Sequence, residues 1–218
     1  MKVFEKGRKI LRQLQALGYE SYFVGGALRD YILGREIHDI DIATPILPHE
    51  VMQIFPKTVP IGLKHGTVLV LFEGESFEIT TFRTEGAYED FRHPKEVHFV
   101  KDITLDLARR DFTMNAMAMN VDYEWIDPYE GKRDMEKKQV RAVGDAKARF
   151  CEDPLRILRG YRFCSQLGFT LEEKTEAAAC AHVPLLQHIS VERIQVEMEK
   201  LLDATYVSEV WDMLEKCK

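Results

Sequence analysis

"GREIHDIDIAT", residues 34–44, decides how the chain is read. Aspartate and isoleucine alternate through its centre. In an extended strand, successive side chains point to opposite faces, so Ile40 and Ile42 share one face while Asp39 and Asp41 share the other. The isoleucine face belongs in a core. The aspartate face gathers two like charges, and a cation is needed to offset their repulsion. Mg²⁺, held by carboxylate oxygens together with the phosphates of a substrate, has the right chemistry. A pair of such ions about 3.5–4 Å apart clamps the attacking and leaving oxygens of an in-line phosphoryl displacement. An isolated D-x-D also fits a merely solvated strand face, so the neighbouring residues must decide.

Upstream, "YFVGGALRD" places Gly25 and Gly26 between an apolar strand and a helix. Glycines at that position let backbone N–H groups approach a phosphate, and a helix N-terminus favours negative charge. Arg29 falls in the first turns of that helix, within reach of a triphosphate. A Gly-Gly pair alone can be a simple tight turn. Joined to D-x-D a dozen residues later, it points to a nucleoside triphosphate held against metal. Glu78, in the alternating run "FEITTFR", completes a carboxylate cluster if its strand neighbours the first; otherwise it is an exposed hairpin glutamate.

Around this centre the chain alternates. A helix over residues 4–17, with Phe4, Leu11, Leu14 and Leu17 at helical spacing, opens it and does not read as a signal peptide. The strand "SYFVGG", the helix "ALRDYIL", the strand "HDIDIAT" and the helix "PHEVMQIF" follow. "GTVLVLFEG" and "ESFEITTFR" form a hairpin turning at Gly74. A polar stretch, "TEGAYEDFRHP", leads to a strand near "EVHFV", a helix over "TLDLARRDFTMNA" and a last hairpin over "AMAMNVDYEWIDP". From about residue 144 the strands stop, and the rest reads as helices. The expected layout is α+β, a mixed β-sheet with helices over 1–143, followed by an all-α portion over 144–218.

The composition excludes several classes. Of 218 residues, 45% are hydrophobic, which supports a packed core rather than disorder. No apolar run reaches the roughly 18 residues of a membrane span, so no membrane partner is expected. Cys151, Cys164, Cys180 and Cys217 form no C-x-x-C pair, which argues against a zinc or redox motif; reduced thiols in a cytoplasmic protein are expected. "HEVMQIF" lacks the second histidine of a zinc helix, and His38 reads as structural or solvent-facing. The net charge is −6, yet residues 132–163 hold ten Lys or Arg against five Asp or Glu, a local +5 that leaves −11 elsewhere. Such a segment suits either a polyanion or a solvated helix face.

"GGALRD" followed by "HDIDIAT" resembles the signature of the polymerase-β-like nucleotidyltransferases. More narrowly it resembles the class II, bacterial-type, CCA-adding tRNA nucleotidyltransferases and poly(A) polymerases. "RRDFTMNAMAMN", "DPYEGKRDMEKKQVRAVGDAKARFCEDPLRILRGYRF" and "ISVERIQVEMEKLL" continue the likeness in order over nearly the whole chain. The resemblance implies a catalytic head over 1–143 and a nucleotide-selecting neck over 144–218. It implies that Asp39 and Asp41 bind Mg²⁺ and activate a tRNA 3′-hydroxyl, with Glu78 at a third acidic position. Asp111 would accept a hydrogen bond from the ribose 2′-OH, with Arg110 beside it. Asp111 also fits as the N-cap of a helix beginning at Phe112.

In "EDPLRILRGYRF", Asp153 and Pro154 make a good helix start. That leaves Arg156, Arg159 and Arg162, at steps of three along the same helix, unexplained. The resemblance assigns Asp153 and Arg156 as an amino-acid template for the incoming base. Cytosine and adenine each present a ring acceptor beside an exocyclic amine donor, which an arginine donor and an aspartate acceptor match. Uracil and guanine present the reverse pattern. A well-formed bidentate pair discriminates by ~1–3 kcal/mol, and buried groups left unpaired add to that. Glu152 would orient Arg156, and Arg159 would support the pair or the phosphates. The loop "EGAYEDFRHP" matches the family's flexible loop at full length, which favours CCA or A addition over CC addition. The implied partners are the tRNA 3′ end, CTP and ATP, and no protein partner. A poly(A) polymerase, or a catalytically silent nucleotide- or RNA-binding fragment, remains open. Because the family's further helical domains hold the tRNA body, weak and strongly salt-dependent RNA affinity is expected of this chain.

Overall fold

The computed structural model describes residues 2–37, 39–86, 91, 96–215 and 217. His38 and most of the "EGAYEDFRHP" loop therefore lie outside the described residues. The chain divides into two compact units. The first comprises Met1–Gly86, Glu96–Arg110 and Asn115–Pro128; the second includes Asp111–Met114 and Tyr129–Lys218.

The first unit opens with α1 (Lys2–Ala16). Phe4, Ile10, Leu11 and Leu14 are buried on one face of it, the i, i+3, i+4 stripe of an amphipathic helix. Leu17, expected on that stripe, lies past the helix end and is 53% exposed. Gly18 stops the helix in a left-handed conformation at φ 87°. Next come β1 (Tyr22–Val24), α2 (Gly26–Ile32), β2 (Ile40–Thr44), α3 (Pro48–Ile54), β3 (Thr58–Gly62), β4 (Thr67–Phe72) and β5 (Glu75–Thr81). The β4–β5 hairpin turns through Glu73 at φ 49° and Gly74 at φ 83°, the left-handed pair that a two-residue turn between twisted strands requires. A two-stranded ribbon, β6 (Arg83–Glu85) with β7 (Val97–Phe99), precedes α4 (Ile103–Ala108), and β8 (Ala118–Met119) and β9 (Trp125–Ile126) complete the unit.

Seven strands form one sheet in the order β3-β4-β5-β2-β1-β8-β9. Only β2–β5 is parallel; the other pairings are antiparallel, so the sheet is mixed as expected. β3 was not anticipated. Its apolar residues Val59 and Ile61 are exposed at the sheet edge, and Pro60 interrupts the pattern that would identify a strand. Ile40 and Ile42 are buried between α1 and the sheet's other apolar side chains, and this burial fixes the register of β2.

The second unit holds α5 (Gly131–Glu136), β10 (Gln139–Val140), α6 (Ala146–Glu152), α7 (Leu155–Leu167), β11 (Thr170–Leu171), α8 (Glu173–His182), α9 (Val191–Leu202) and α10 (Val207–Glu215). Among its described residues it is helical apart from a two-residue parallel ladder between β10 and β11 and one isolated bridge, so one short strand does lie beyond residue 144. α6 and α7 are separate helices. Asp153 between them is extended (φ −142°, ψ 99°), as a residue preceding proline prefers.

Two expectations are corrected. The helix over "TLDLARRDFTMNA" stops at Ala108. Phe112 instead bridges Ala142, with Thr113 N–H donating to the Arg141 carbonyl (2.9 Å) and Val143 N–H to the Asp111 carbonyl (3.1 Å). Asp111 therefore caps no helix at Phe112, because burial of Phe112 in this pairing outweighs local helix preference. The cysteines are not all reduced. Cys180 of α8 and Cys217 form a disulfide across 37 residues, while Cys151 and Cys164 are free thiols. Spacing could not reveal it, since the fold alone brings the two Cα atoms to 4.6 Å.

Candidate active site

Parallel pairing of β2 with β5 sets Asp41 level with Glu78, and antiparallel pairing with β1 sets Asp41 level with Val24. Gly25 follows Val24 immediately and caps α2 with φ 76° and ψ −148°, a region essentially reserved for glycine. A Cβ at Gly25 would lie 3.0 Å from Asp41 Oδ2 and 3.3 Å from Arg110 Nη1. The missing side chain therefore lets backbone, carboxylate and guanidinium crowd one spot. Asp39 and Glu78 are exposed and Asp41 is half-buried. Burial pushes the Asp41 carboxyl up to about 6; Arg110 pulls it down, while Glu78 and Asp39 push it further up. Both neighbouring acids thus act on Asp41, as the strand reading anticipated, and among the described residues no salt bridge reaches Asp39, Asp41 or Glu78.

Arg29 folds back over the N-terminus of its own helix. Its Nη2 lies 3.4 Å from where a Gly26 Cβ would sit. It donates to both oxygens of Asp30 (3.0 and 2.8 Å) and to Asn115 Oδ1 (3.1 Å). Arg110 donates to Asp106 Oδ2 (3.0 Å) and weakly to the Asn115 carbonyl (3.4 Å).

The carboxylates fit a divalent ion by the chemistry of the donor set. Hard oxygen ligands, a raised carboxyl and mutual repulsion are what a Mg²⁺ ion relieves, and Mg²⁺ needs only one or two protein carboxylates beside substrate phosphates. No group of three His, Cys, Asp or Glu side chains among the described residues forms an all-protein metal cage.

In the second unit, α7 carries the predicted arginines, and each meets a carboxylate. Arg156, 9% exposed, donates to Glu152 Oε2 at 2.7 Å. Arg159 grips Asp111 Oδ2 through Nε (2.9 Å) and Nη2 (2.5 Å), and Asp111 Oδ1 accepts the Phe112 N–H at 2.8 Å. Arg162 lies with Nε 2.6 Å from Glu197 Oε2 and packs over the Phe163 ring at 4.1 Å. Asp153 Oδ1 accepts the Leu155 N–H (3.1 Å), and its Oδ2 accepts from Arg193 (2.9 Å).

Arg193 and Glu197 were not singled out from sequence. They stand four apart on α9 within "VERIQVEMEK", so they share a helix face, and that spacing was the available signal. Arg149 was missed likewise; its Nη2 pairs with Glu152 Oε1. Asp106, buried at the end of α4, carries no motif of its own in the sequence.

Comparison with known proteins gives two family matches. Residues 21–141 match the family described as "Poly A polymerase head domain", and residues 168–218 match "Probable RNA and SrmB- binding site of polymerase A". The CCA-adding enzyme of Geobacillus thermodenitrificans (strain NG80-2) is 56% identical over 211 residues, 97% of this chain and 52% of that protein. That of Bacillus cytotoxicus is 56% identical over 206 residues, 94% of this chain and 52% of the relative. The chain thus spans about half the length of the curated relatives it matches. Among solved structures, the Bacillus stearothermophilus CCA-adding enzyme in complex with CTP superposes with TM-score 0.90 at 48% identity, covering 97% of this chain and 51% of that one. The Thermotoga maritima CCA-adding enzyme complexed with tRNA gives TM-score 0.80 at 28% identity, covering 99% and 51%.

Proposed function

The chain belongs to the family of the poly A polymerase head domain, and on that premise we propose that it is the head and neck of a template-independent nucleotidyltransferase. It adds CCA, or its terminal A, to tRNA 3′ ends from CTP and ATP and releases pyrophosphate. Residues 1–143 serve as the catalytic head and 144–218 as the neck. Binding of CTP and of tRNA by similar proteins supports this reading, and the chain would act in the cytoplasm, where tRNA is processed. No helix among the described residues is long and apolar enough to cross a membrane.

One observation carries the proposal: Asp41 stands level with Glu78, unpaired and with a raised carboxyl, against the glycine turn at Gly25. Asp39 and Asp41 would hold Mg²⁺, which when bound neutralises triphosphate charge and acidifies the attacking 3′-hydroxyl. Gly25 and Gly26 open the backbone to the phosphates, and Arg29 and Arg110 add positive charge beside them. Asp111 orients the ribose through its 2′-OH while Arg159 fixes its carboxylate. Asp153 and Arg156 read the base edge. Glu152 holds Arg156 and Arg193 holds Asp153, so both are ordered before a base arrives. Pre-ordering matters because a bidentate pair discriminates only if its geometry is fixed. Arg162 supports this arrangement from Glu197.

The test supplies a tRNA lacking its 3′ CCA with Mg²⁺ and each nucleoside triphosphate singly. CTP alone should be incorporated and ATP only once CTP has been added, with UTP and GTP rejected. Long tails from ATP alone would identify a poly(A) polymerase instead. Binding of CTP without transfer would identify a silent nucleotide-binding fragment.

A further inference from the structure

A buried cluster of charges in the first unit, behind Arg110, is centred on Asp106. Its side chain is 1% exposed. Oδ1 accepts from Arg109 Nε (3.1 Å) and Nη2 (2.8 Å) and from the Arg83 backbone N–H (3.3 Å). Oδ2 accepts from Arg110 Nη2 at 3.0 Å. Burial works to raise this carboxyl, but the guanidiniums of Arg110 and Arg109 hold it below its ordinary range, so it stays ionised. A second carboxylate, Glu85 on the β6–β7 ribbon, accepts from Arg109 Nη1 at 3.1 Å and from Arg83 Nη2 at 3.0 Å. Arg83 donates in addition to the His65 carbonyl.

Among the described residues, three guanidiniums therefore share these two carboxylates. Arg110 is the member at the acid face: its Nη1 is 3.3 Å from the Cβ position of Gly25, a point only 3.0 Å from Asp41 Oδ2. Apart from Asp106, its contact is the 3.4 Å bond to the Asn115 carbonyl, and its Nε is buried with no hydrogen-bond partner among the described residues. A long side chain held at one end by so weak a bond samples many rotamers. The bond to Asp106 removes that freedom. The turn that continues past α4, with Arg109 in αR and the Arg110 N–H bonded to the Leu107 carbonyl, brings both arginines back onto the one carboxylate three and four residues before them.

We propose that Asp106 is a positioning residue for Arg110, fixing its guanidinium against the Asp41–Gly25 face where the triphosphate binds, and that Glu85 buttresses the same arrangement through Arg109. This rests on the nucleotidyltransferase reading for its consequence in catalysis, but not for its geometry.

The experiment is a double-mutant cycle on the chain. Asp106→Asn, Glu85→Gln and Arg110→Ala are made singly, and each of the first two is combined with Arg110→Ala. Transfer is followed with CTP, Mg²⁺ and tRNA lacking CCA, and the Arg110 Nε–H is followed by NMR. Asp106→Asn should lower kcat by about 10- to 100-fold, as misplacement of a catalytic group does, with KM for CTP changing less than about threefold. Glu85→Gln should lower it by several-fold. Neither should lower it further once Arg110 is alanine; multiplied losses would overturn the proposal, because damage that is merely structural is independent of Arg110. The Arg110 Nε–H signal, sharp in the unaltered chain, should broaden in Asp106→Asn and shift in Glu85→Gln. An unmoved signal would also overturn it, with or without activity. If the unaltered chain transfers no nucleotide, the functional reading fails while this signal still decides the positioning role. Should Asp106→Asn not fold, Glu85→Gln decides the matter by the same two measurements.

Discussion

The two units treat charge in opposite ways. On the strand face of the first, Asp39, Asp41 and Glu78 crowd together with no salt bridge among the described residues, and the most buried of them has its carboxyl pushed up to about 6. Along α7 of the second, every arginine meets an acid: Arg156 meets Glu152, Arg159 meets Asp111 and Arg162 meets Glu197. On the proposed function, the contrast follows from what each surface would receive. Carboxylates meant for metal ions and a triphosphate must be left wanting positive charge. Side chains meant to read the edge of a neutral base must be held still, and pairing them internally does so without leaving a strong net field.

The contrast is most exposed to failure at Asp41. Asp41→Ala should lower transfer by more than about 1,000-fold while far-ultraviolet circular dichroism stays unchanged, since removal of a metal carboxylate abolishes the electrostatic stabilisation of the transition state. Retained transfer in that variant would show that the acids are not the metal site. In the second unit the large effect should be on folding instead. Glu197→Ala leaves Arg162 its Gln166 bond but no carboxylate among the described residues, and a buried pair broken from one side costs about 3–5 kcal/mol. Urea unfolding reads this directly, and a loss below about 1 kcal/mol would mean that the α7–α9 pairing is solvated.

A pH series probes the same difference. The Asp41 carboxyl ordinarily titrates near 3.9 in an unfolded chain and near 6 here. The native state therefore binds more protons between those values, and stability falls as pH rises through that window. The contribution is full below pH 4 and gone above about 6, on the order of 2–3 kcal/mol for a shift of this size. Asp41→Asn should flatten the curve and leave the chain more stable at pH 8 in the absence of metal. Mg²⁺ with CTP should do the reverse of acid, stabilising the chain more at pH 8 than at pH 5.

Selectivity gives a smaller effect. Arg156→Ala should reduce the preference for CTP over UTP by roughly 5- to 150-fold, the worth of one bidentate pair, with Arg193→Ala milder because Asp153 keeps its Leu155 N–H. An unchanged CTP/UTP ratio in Arg156→Ala would remove the template from α7. The smallest readout is chemical. Cys151 is exposed, whereas burial pushes the Cys164 thiol up to about 12, so a thiol reagent should label one site in the native chain and two after denaturation without reductant. Four labelled thiols would remove the Cys180–Cys217 bond.

What was legible in the sequence was whatever repeats or alternates. The isoleucine–aspartate alternation of β2, the glycine turn at Gly25 and the amphipathic face of α1 are local patterns with one physical meaning each. The arginines of α7 were legible as a spacing, and the structure supplied their partners. Glu152, four residues before Arg156, was legible as its partner; the other pairings were hidden because they span long stretches of chain, Asp111 being 48 residues from Arg159 and Arg193 40 from Asp153. β3 was hidden by Pro60 and by its exposure at an edge, and the true end of α4 by the bridge that Phe112 makes with Ala142. The disulfide was hidden for the same reason as the distant ion pairs. Asp106 was hidden because a lone aspartate in a helix has no signature until its arginines are seen folded back on it.

The side-by-side alignment of β2 and β5 also acts as a spelling check on the chain. Sliding one strand past the other by a single residue would push a carboxylate into the oily interior and an isoleucine out into water. Misfolded copies with scrambled acids are thereby penalised before any nucleotide arrives. Quality control over the chemistry is thus delegated to two isoleucines that never touch it.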